Sequence, residues 1–305
     1  MLMYMLRRLL TALSVAFTVS IVSFILLNLS GDLATAIAGP DATAEQVQQI
    51  RVQYHLNETL ISQYFHWLGN ALSLDFGKSF FVPEQVTELV ARHLPVTLTL
   101  GISALLLAVC IAIPLGVLAA FYRDTWIDRF AQFLAVFAQA MPTFWTGLLL
   151  IVIFAVTLKW LPVAGDATWK HFILPSAALA FHAIPAMLRL TRSGMLDVLN
   201  MDYIRTAYAK GLGHFTVVSK HALRNAIIPV IALVAVELGF MLGGSIVIES
   251  VFSLQGIGNL VWVSIARNDF PVVQAVVLII ALFYIGLTFF ADVLNALLDP
   301  RMRTR

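Results

Sequence analysis

The chain has 305 residues, 60% of them hydrophobic and 12% charged, with a mean hydropathy of +0.89. A soluble domain carries roughly a quarter of its residues charged, so this composition excludes one and points to a membrane protein. The net charge is only +2, and the lone cysteine, Cys110, excludes disulfide scaffolds and cysteine metal clusters.

The apolar residues fall into six runs, each near the roughly 20 residues that a helix needs to cross about 30 Å of hydrocarbon. The first, Leu9 to Leu29, follows Arg7 and Arg8. Small residues at Ala36 to Ala38 give it an A-x-A-like cleavage site, but the run exceeds the apolar core of about 7 to 15 residues in a signal peptide and reads as an uncleaved anchor. Residues 30–95 then form the one large extracytoplasmic segment. Within it Thr43 and Gln46 make a capping box, followed at helical spacing by Val47, Ile50 and Tyr54. "LISQYFHWLGNALSL" places Tyr64, Phe65 and Trp67 where they suit a membrane surface, a partner, or packing of the loop onto its own bundle. "DFGKS", Asp75 to Ser79, reads as a turn.

The second span is Leu94 to Tyr122, and the third lies between Arg129 and Lys159. The fourth, about Phe172 to Leu188, is short and holds Pro175 and Pro185. The fifth runs from about Ile228 to Ile248 around Glu237, and the sixth from about Val272 to Leu298 with Asp292 near its end. None shows the alternation of a barrel strand. The expected fold is all-α: one polytopic helical domain over residues 1–305, with six transmembrane helices and a large loop between the first and second. Pro114, Pro142, Pro175 and Pro185 are expected to kink or interrupt their helices. Gly239, Gly243 and Gly244 would allow a partner to approach the fifth span closely.

Lysine and arginine collect in cytoplasmic loops. With the N-terminus inside, thirteen of the nineteen basic residues fall on the cytoplasmic side, including Arg123, Arg129, Arg189, Arg192, Arg301, Arg303 and Arg305. Both termini are therefore expected in the cytoplasm. Topology accounts for the slight positive charge, leaving no reason to invoke nucleic acid.

No H-E-x-x-H, G-x-S-x-G or G-x-x-x-x-G-K-[ST] pattern occurs, so metalloprotease, serine-nucleophile and Walker-type nucleotide chemistry lack their residues. The chain reads as a non-enzyme with no metal site. Any uphill transport must draw on an ion gradient or on another subunit.

The segment "DYIRTAYAKGLGHFTVVSKHALRNAIIP", residues 202 to 229, sets charges around two glycines between apolar runs. Asp202 can cap a short helix with Tyr203, Ala207 and Lys210 on one face, broken by Gly211 and Gly213. A second basic helix from about Phe215 to Asn225 leads to Pro229. A short helix across the base of a bundle suits a cleft in another protein; the alternative is a basic loop that sets topology and binds anionic lipid.

This stretch resembles the EAA loop of inner-membrane permease subunits of binding-protein-dependent ABC importers, in the version of the dipeptide, oligopeptide and nickel group. "MLMYMLRRLL", "DFGKS", "LPVTLTL", "MPTFW", "WLPVAG", "ILPSAALAF", "GGSIVIESVFSLQGIGNL" and "DVLNALLDPRMR" resemble that group in the same order along the whole chain. The resemblance implies a permease subunit in a bacterial inner membrane, importing small peptides or related solutes: dipeptides, longer peptides, glutathione-like compounds, opines or chelated nickel. It implies a homologous second permease, two cytoplasmic ATPases carrying ATP and Mg, an external substrate-binding protein, and no cofactor in this chain. The coupling role would fall within residues 202–228, on Ala207, Gly211 and Leu223. Asp202, Tyr203, Arg205, Thr206, Lys210, Gly213, His221, Arg224 and Asn225 would flank them. The general family motif has Glu-Ala-Ala where this chain has Arg205, Thr206 and Ala207, and proline where it has Arg224.

Glu237 is the first candidate for the substrate path, because an acid inside an apolar span usually faces a polar cavity or a partner. A protonated or hydrogen-bonded acid at a helix interface is the other possibility. His182, between two prolines, is a second candidate. Glu249 is expected at the outer boundary and Asp292 near the inner one. A self-sufficient transporter with Glu237 and His182 as a proton relay is the alternative to the importer.

Overall fold

The computed structural model describes residues 2–29, 32–39, 42–53 and 56–298. Tyr54, Arg301, Arg303 and Arg305 lie outside them. The described residues are almost entirely helical and contain no strand beyond one isolated bridge, Lys78 to Gln85. Helix α1 (Leu2–Leu29) is followed by the short α2 (Leu33–Ala38), α3 (Ala44–Gln53) and α4 (Leu60–Leu72). Next come α5 (Val86–Phe121), α6 (Trp126–Ala140) and α7 (Thr143–Leu150), the last continued by a π-helix, Ile151–Thr157. A 3-10 turn, Trp169–Phe172, opens α8 (Ile173–Leu199). The short α9 (Asp202–Ala209), α10 (His214–Thr216), a π-turn (Val217–Ala222) and α11 (Leu223–Ala226) lead into α12 (Ile228–Val251), α13 (Ile257–Ala266) and α14 (Phe270–Leu298).

Among the described residues five helices, α1, α5, α8, α12 and α14, are long and apolar enough to cross a membrane, and α6 with α7 and its π-helical continuation, a bent pair, brings the number to six when it is counted as one span. That pair turns by 103°. The cause is local: Pro142 drives the preceding residue out of the helical region, and Met141 is extended at φ −90°, ψ 128°. The other three prolines do not interrupt their helices. Pro114 lies inside α5 and Pro185 inside α8, both of which continue, and Pro175 falls in the first turn of α8, where no N–H is needed. The fourth span is also not short: α8 has 27 residues and carries Arg189 and Arg192 within it. Helix α5 starts at Val86, so the end of the expected 30–95 loop is already helical.

The central contact joins α5 to α8. Leu100, Ala104, Ala108, Ala112, Gly116 and Ala120 recur every fourth residue of α5, and all are buried. Ala180, Ala183, Met187, Leu188 and Thr191 are buried on α8. A Cβ on Gly116 would stand 2.7 Å from Thr191 Cβ and 2.8 Å from the Leu188 carbonyl oxygen. Ser103 and Ser176 share a hydrogen bond of 2.6 Å across the same pair.

Polar groups lock the α13 end. Glu249, expected at the outer boundary, lies in the last turn of α12 and is fully buried. Its Oε1 accepts from Thr97 Oγ1 of α5 at 2.7 Å and Ser245 Oγ at 2.8 Å, and its Oε2 accepts from the Asn259 amide of α13 at 2.9 Å. Three elements thus supply the donors that water would have given. The "DFGKS" segment does turn, with Gly77 at φ 76°. It is tied to the start of α14: Ser79 Oγ and the Phe80 amide both donate to Asp269, and Arg267 lies 4.4 Å over the Phe81 ring. The capping box also forms, with the Thr43 amide donating to Gln46 Oε1 at 2.9 Å.

Helix α4 packs on α1. Tyr64 is buried, shares a 2.7 Å hydrogen bond with Ser20 and meets Phe24 edge-on at 5.5 Å. Trp67 also contacts Phe24, whereas Phe65 is exposed. At the opposite end Arg8 pairs with Asp292 at 3.3 Å, joining α1 to α14.

The seam between α5 and α8 is testable. Gly116→Val is expected to remove most monodisperse protein after detergent extraction, since its side chain meets backbone. Gly101→Ala should behave like wild type, because its Cβ meets only the flexible tips of Leu242 and Leu238, at 3.3 and 3.5 Å. Size-exclusion profiles of the two variants check both.

Candidate functional site

Helix α9 follows α8 after only Asn200 and Met201. Its N-cap is Met201 rather than Asp202; Asp202 is the first helical residue and lies 3.5 Å from Arg205, an exposed pair. Ile204 and Ala207 are buried in one apolar cluster with Met195 and Val198 of α8 and with Val217, Ala222 and Ala226. Ala207 therefore faces the bundle, while Tyr203 and Lys210 are exposed. The chain reverses at Gly211, at φ 81°, a conformation costly for any residue with a Cβ. Gly213, at φ −66°, has no such requirement.

Tyr203 braces the two limbs of the segment. Its hydroxyl accepts from Asn225 Nδ2 at 2.7 Å and donates to the His221 carbonyl at 3.4 Å. A Cβ on Gly194 of α8 would come within 2.9 Å of the Ala226 carbonyl oxygen, so α11 also lies close against α8. Asp202, Arg205, Thr206, Lys210, Arg224 and Asn225 are left exposed, and Leu223 is half-buried.

The second site is a cavity of about 430 Å³ among α6, α7, α8 and α12. Both path candidates line it: His182 from α8 and Glu237 from α12. So do Gln139 and Thr143, which flank the break at Met141 and Pro142, and Arg189, which in the sequence is one of the basic residues that set topology. Arg189 donates to Gln139 Oε1 at 3.0 Å. Glu237 has no hydrogen-bond or ion-pair partner among the described residues. Gly244 opens onto the cavity, but Gly239 is used within the chain, where a Cβ would strike the Tyr284 ring of α14 at 2.6 Å.

A third feature gave no signal as a pair in the sequence. Asp128 of α6 is buried and accepts two hydrogen bonds of 2.7 Å from Arg192, one from Nε and one from Nη2. It also accepts from the Asp124 amide at 3.1 Å and from Gln132 at 3.3 Å. This bidentate pair pins the first half of the bent span to α8, seven residues before α8 ends.

Apolar helices around a charged cavity, with a short helix slung from one end, define a helical membrane transport subunit. Residues 112–304 match the family described as the binding-protein-dependent transport system inner membrane component, and residues 1–101 match the N-terminal region of such membrane components. The chain is 41% identical over 304 residues, 99% of each chain, to the glutathione transport system permease protein GsiC of Escherichia coli strain K12. It is 40% identical over the same coverage to the protein of that name from Shigella flexneri serotype 5b. A solved structure of the MetNI methionine ABC transporter, in inward facing conformations, has the same fold at a TM-score of 0.59 and 19% identity, over 69% of this chain and 96% of that one. The chain belongs to the family of binding-protein-dependent transport system inner membrane components. It is thus a non-enzymatic ABC permease subunit, and nothing in these likenesses favours a self-sufficient proton-coupled transporter.

Breaking the Asp128–Arg192 pair on one side is expected to cost about 3–5 kcal/mol, because it leaves a buried charge unmatched. Arg192→Leu should therefore lower the thermal midpoint in detergent sharply. Asp128→Leu combined with Arg192→Leu should recover much of that loss, as a thermal melt of the three proteins will show.

Proposed function

We propose that this chain forms half of the pathway of an ATP-driven importer of small peptides and related solutes, beside a homologous second permease. Two cytoplasmic ATPases, carrying ATP and Mg, supply the power, with one of them docked on residues 202–228, and an external substrate-binding protein delivers the solute. Residues 1–305 act as one permease domain in a bacterial inner membrane, with both termini in the cytoplasm. The likeness to glutathione permeases supports a glutathione-like peptide within this class.

The observation that carries the proposal is the continuity of α8. One helix lines the charged cavity with His182 and Arg189 and then joins α9 through a two-residue link. Because Ile204 and Ala207 are buried against Met195 and Val198, α9 cannot be displaced without load on α8. Asp202, Arg205, Thr206, Lys210 and Arg224 are the exposed groups that grip an ATPase. Ala207 and Leu223 hold the segment to the bundle, the Tyr203–Asn225–His221 brace keeps its limbs together, and Gly211 sets the reversal between them.

A side chain at Gly211 meets open space yet forces a strained backbone, at a cost of about 1–2 kcal/mol. That corresponds to roughly a tenfold loss of the docked turn. Gly211→Val, assembled with its partner subunits in lipid vesicles, is therefore expected to insert normally and to take up far less solute per ATP hydrolysed. Gly213→Ala should keep wild-type coupling. Unchanged uptake in Gly211→Val would overturn the role given to this loop.

A further inference from the structure

We infer that the cavity between α8 and α12 is itself a binding site for a zwitterion, with Arg189 taking the carboxylate and Glu237 the ammonium group of a short peptide. The inference rests on the importer proposal, which it sharpens by placing recognition within the permease.

Charges inside apolar helices are costly unless they are paired or face a polar cavity. Here two opposite charges, from different helices, line the same cavity without forming an ion pair with each other. Glu237 has no partner among the described residues. Arg189 uses one guanidinium nitrogen on Gln139, which fixes the group and leaves further donors for a carboxylate. A solute with charges of both signs satisfies both residues together.

Simpler ligands satisfy only one of them. A metal cation would find a single carboxylate in this wall and would be opposed by Arg189. A purely anionic solute would be opposed by Glu237. Phe240 and Met241 supply apolar surface for side chains, and His182 stands seven residues before Arg189, about 10 Å along the helix. An extended peptide covers about 3.3–3.6 Å per residue, and 430 Å³ falls in the range of roughly 300–1,000 Å³ for small-molecule sites. Di- and tripeptides fit this volume.

The test uses the assembled transporter in lipid nanodiscs without its binding protein. Equilibrium binding of radiolabelled L-alanyl-L-alanine and of glutathione is measured, with N-acetyl-L-alanyl-L-alanine and L-alanyl-L-alanine amide as competitors. Wild type is expected to bind a free peptide and to reject each blocked form by about tenfold or more. Glu237→Gln should lose the discrimination against the acetylated form alone, and Arg189→Gln the discrimination against the amide alone. A general folding defect cannot produce these opposite losses, and if neither variant assembles, competition on the wild type decides. Absence of binding, or equal competition by the blocked peptides, overturns the inference. ATP-dependent uptake by the wild-type complex with its binding protein is measured in parallel. If uptake persists while the cavity shows no such selectivity, the importer proposal stands and the cavity site falls; if there is no ATP-dependent uptake of any peptide tested, both fall.

Discussion

The close approach of α5 and α8 is the constraint on which the rest of the molecule depends. Within lipid, apolar side chains gain little by leaving hydrocarbon for one another, so helices associate through shape and polar contacts. The run Ala104, Ala108, Ala112, Gly116, Ala120 removes bulk from one stripe of α5, and Gly116 lets the Thr191 turn of α8 come against its backbone. Both helices then position the features around them. Helix α8 presents His182 and Arg189 to the cavity, Arg192 to Asp128, and its last turns to α9. Helix α5 supplies Thr97 to Glu249 at one end, and at the other Phe121 packs on His214.

Three acids meet apolar surroundings in three different ways, and the contrast separates scaffold from site. Glu249 is enclosed by neutral donors from α5, α12 and α13, with Gly256 and Gly258 leaving room for its carboxylate, since a Cβ at either would collide with it. Asp128 is matched by Arg192 with a bidentate fork. Both are closed arrangements that fix helices against one another. Of the three, Glu237 has no protein partner among the described residues, and it lines the cavity between α8 and α12.

What was legible in the sequence follows from what is local. Apolar runs of membrane-spanning length, the Thr43–Gln46 capping box and the charge cluster around Gly211 can be read from neighbouring residues, and the structure places helices and a turn there. Contacts between distant residues were not legible. The burial of Glu249 cannot be read until Thr97, 152 positions away, comes within hydrogen-bond reach. Arg189 and Arg192 count as topology charges until Gln139 and Asp128 are beside them. The prolines show the limit from the other side: Pro114, Pro142 and Pro185 give the same local signal, and only Pro142 marks a break. The small-residue stripe of α5 was present in the sequence, but a uniformly apolar run hides which of its faces is packed.

Pro185 gains its meaning from where α8 places it, in the cavity wall between His182 and Arg189. Lacking an N–H, it cannot bond the carbonyl one turn back, so α8 has one less internal restraint at that level. Beyond it, toward α9, the helix is held by the Gly116 contact, the Asp128 pair and the cluster around Ile204. The restrained half carries Arg189 and α9 as one piece, whereas His182 lies on the other side of the proline. Packed contacts therefore run without a break from α9 to the Arg189 turn, and the missing hydrogen bond at Pro185 lies between that turn and His182. One helix thus borders the cavity and carries α9, and the turn that lacks an internal hydrogen bond lies in the cavity wall.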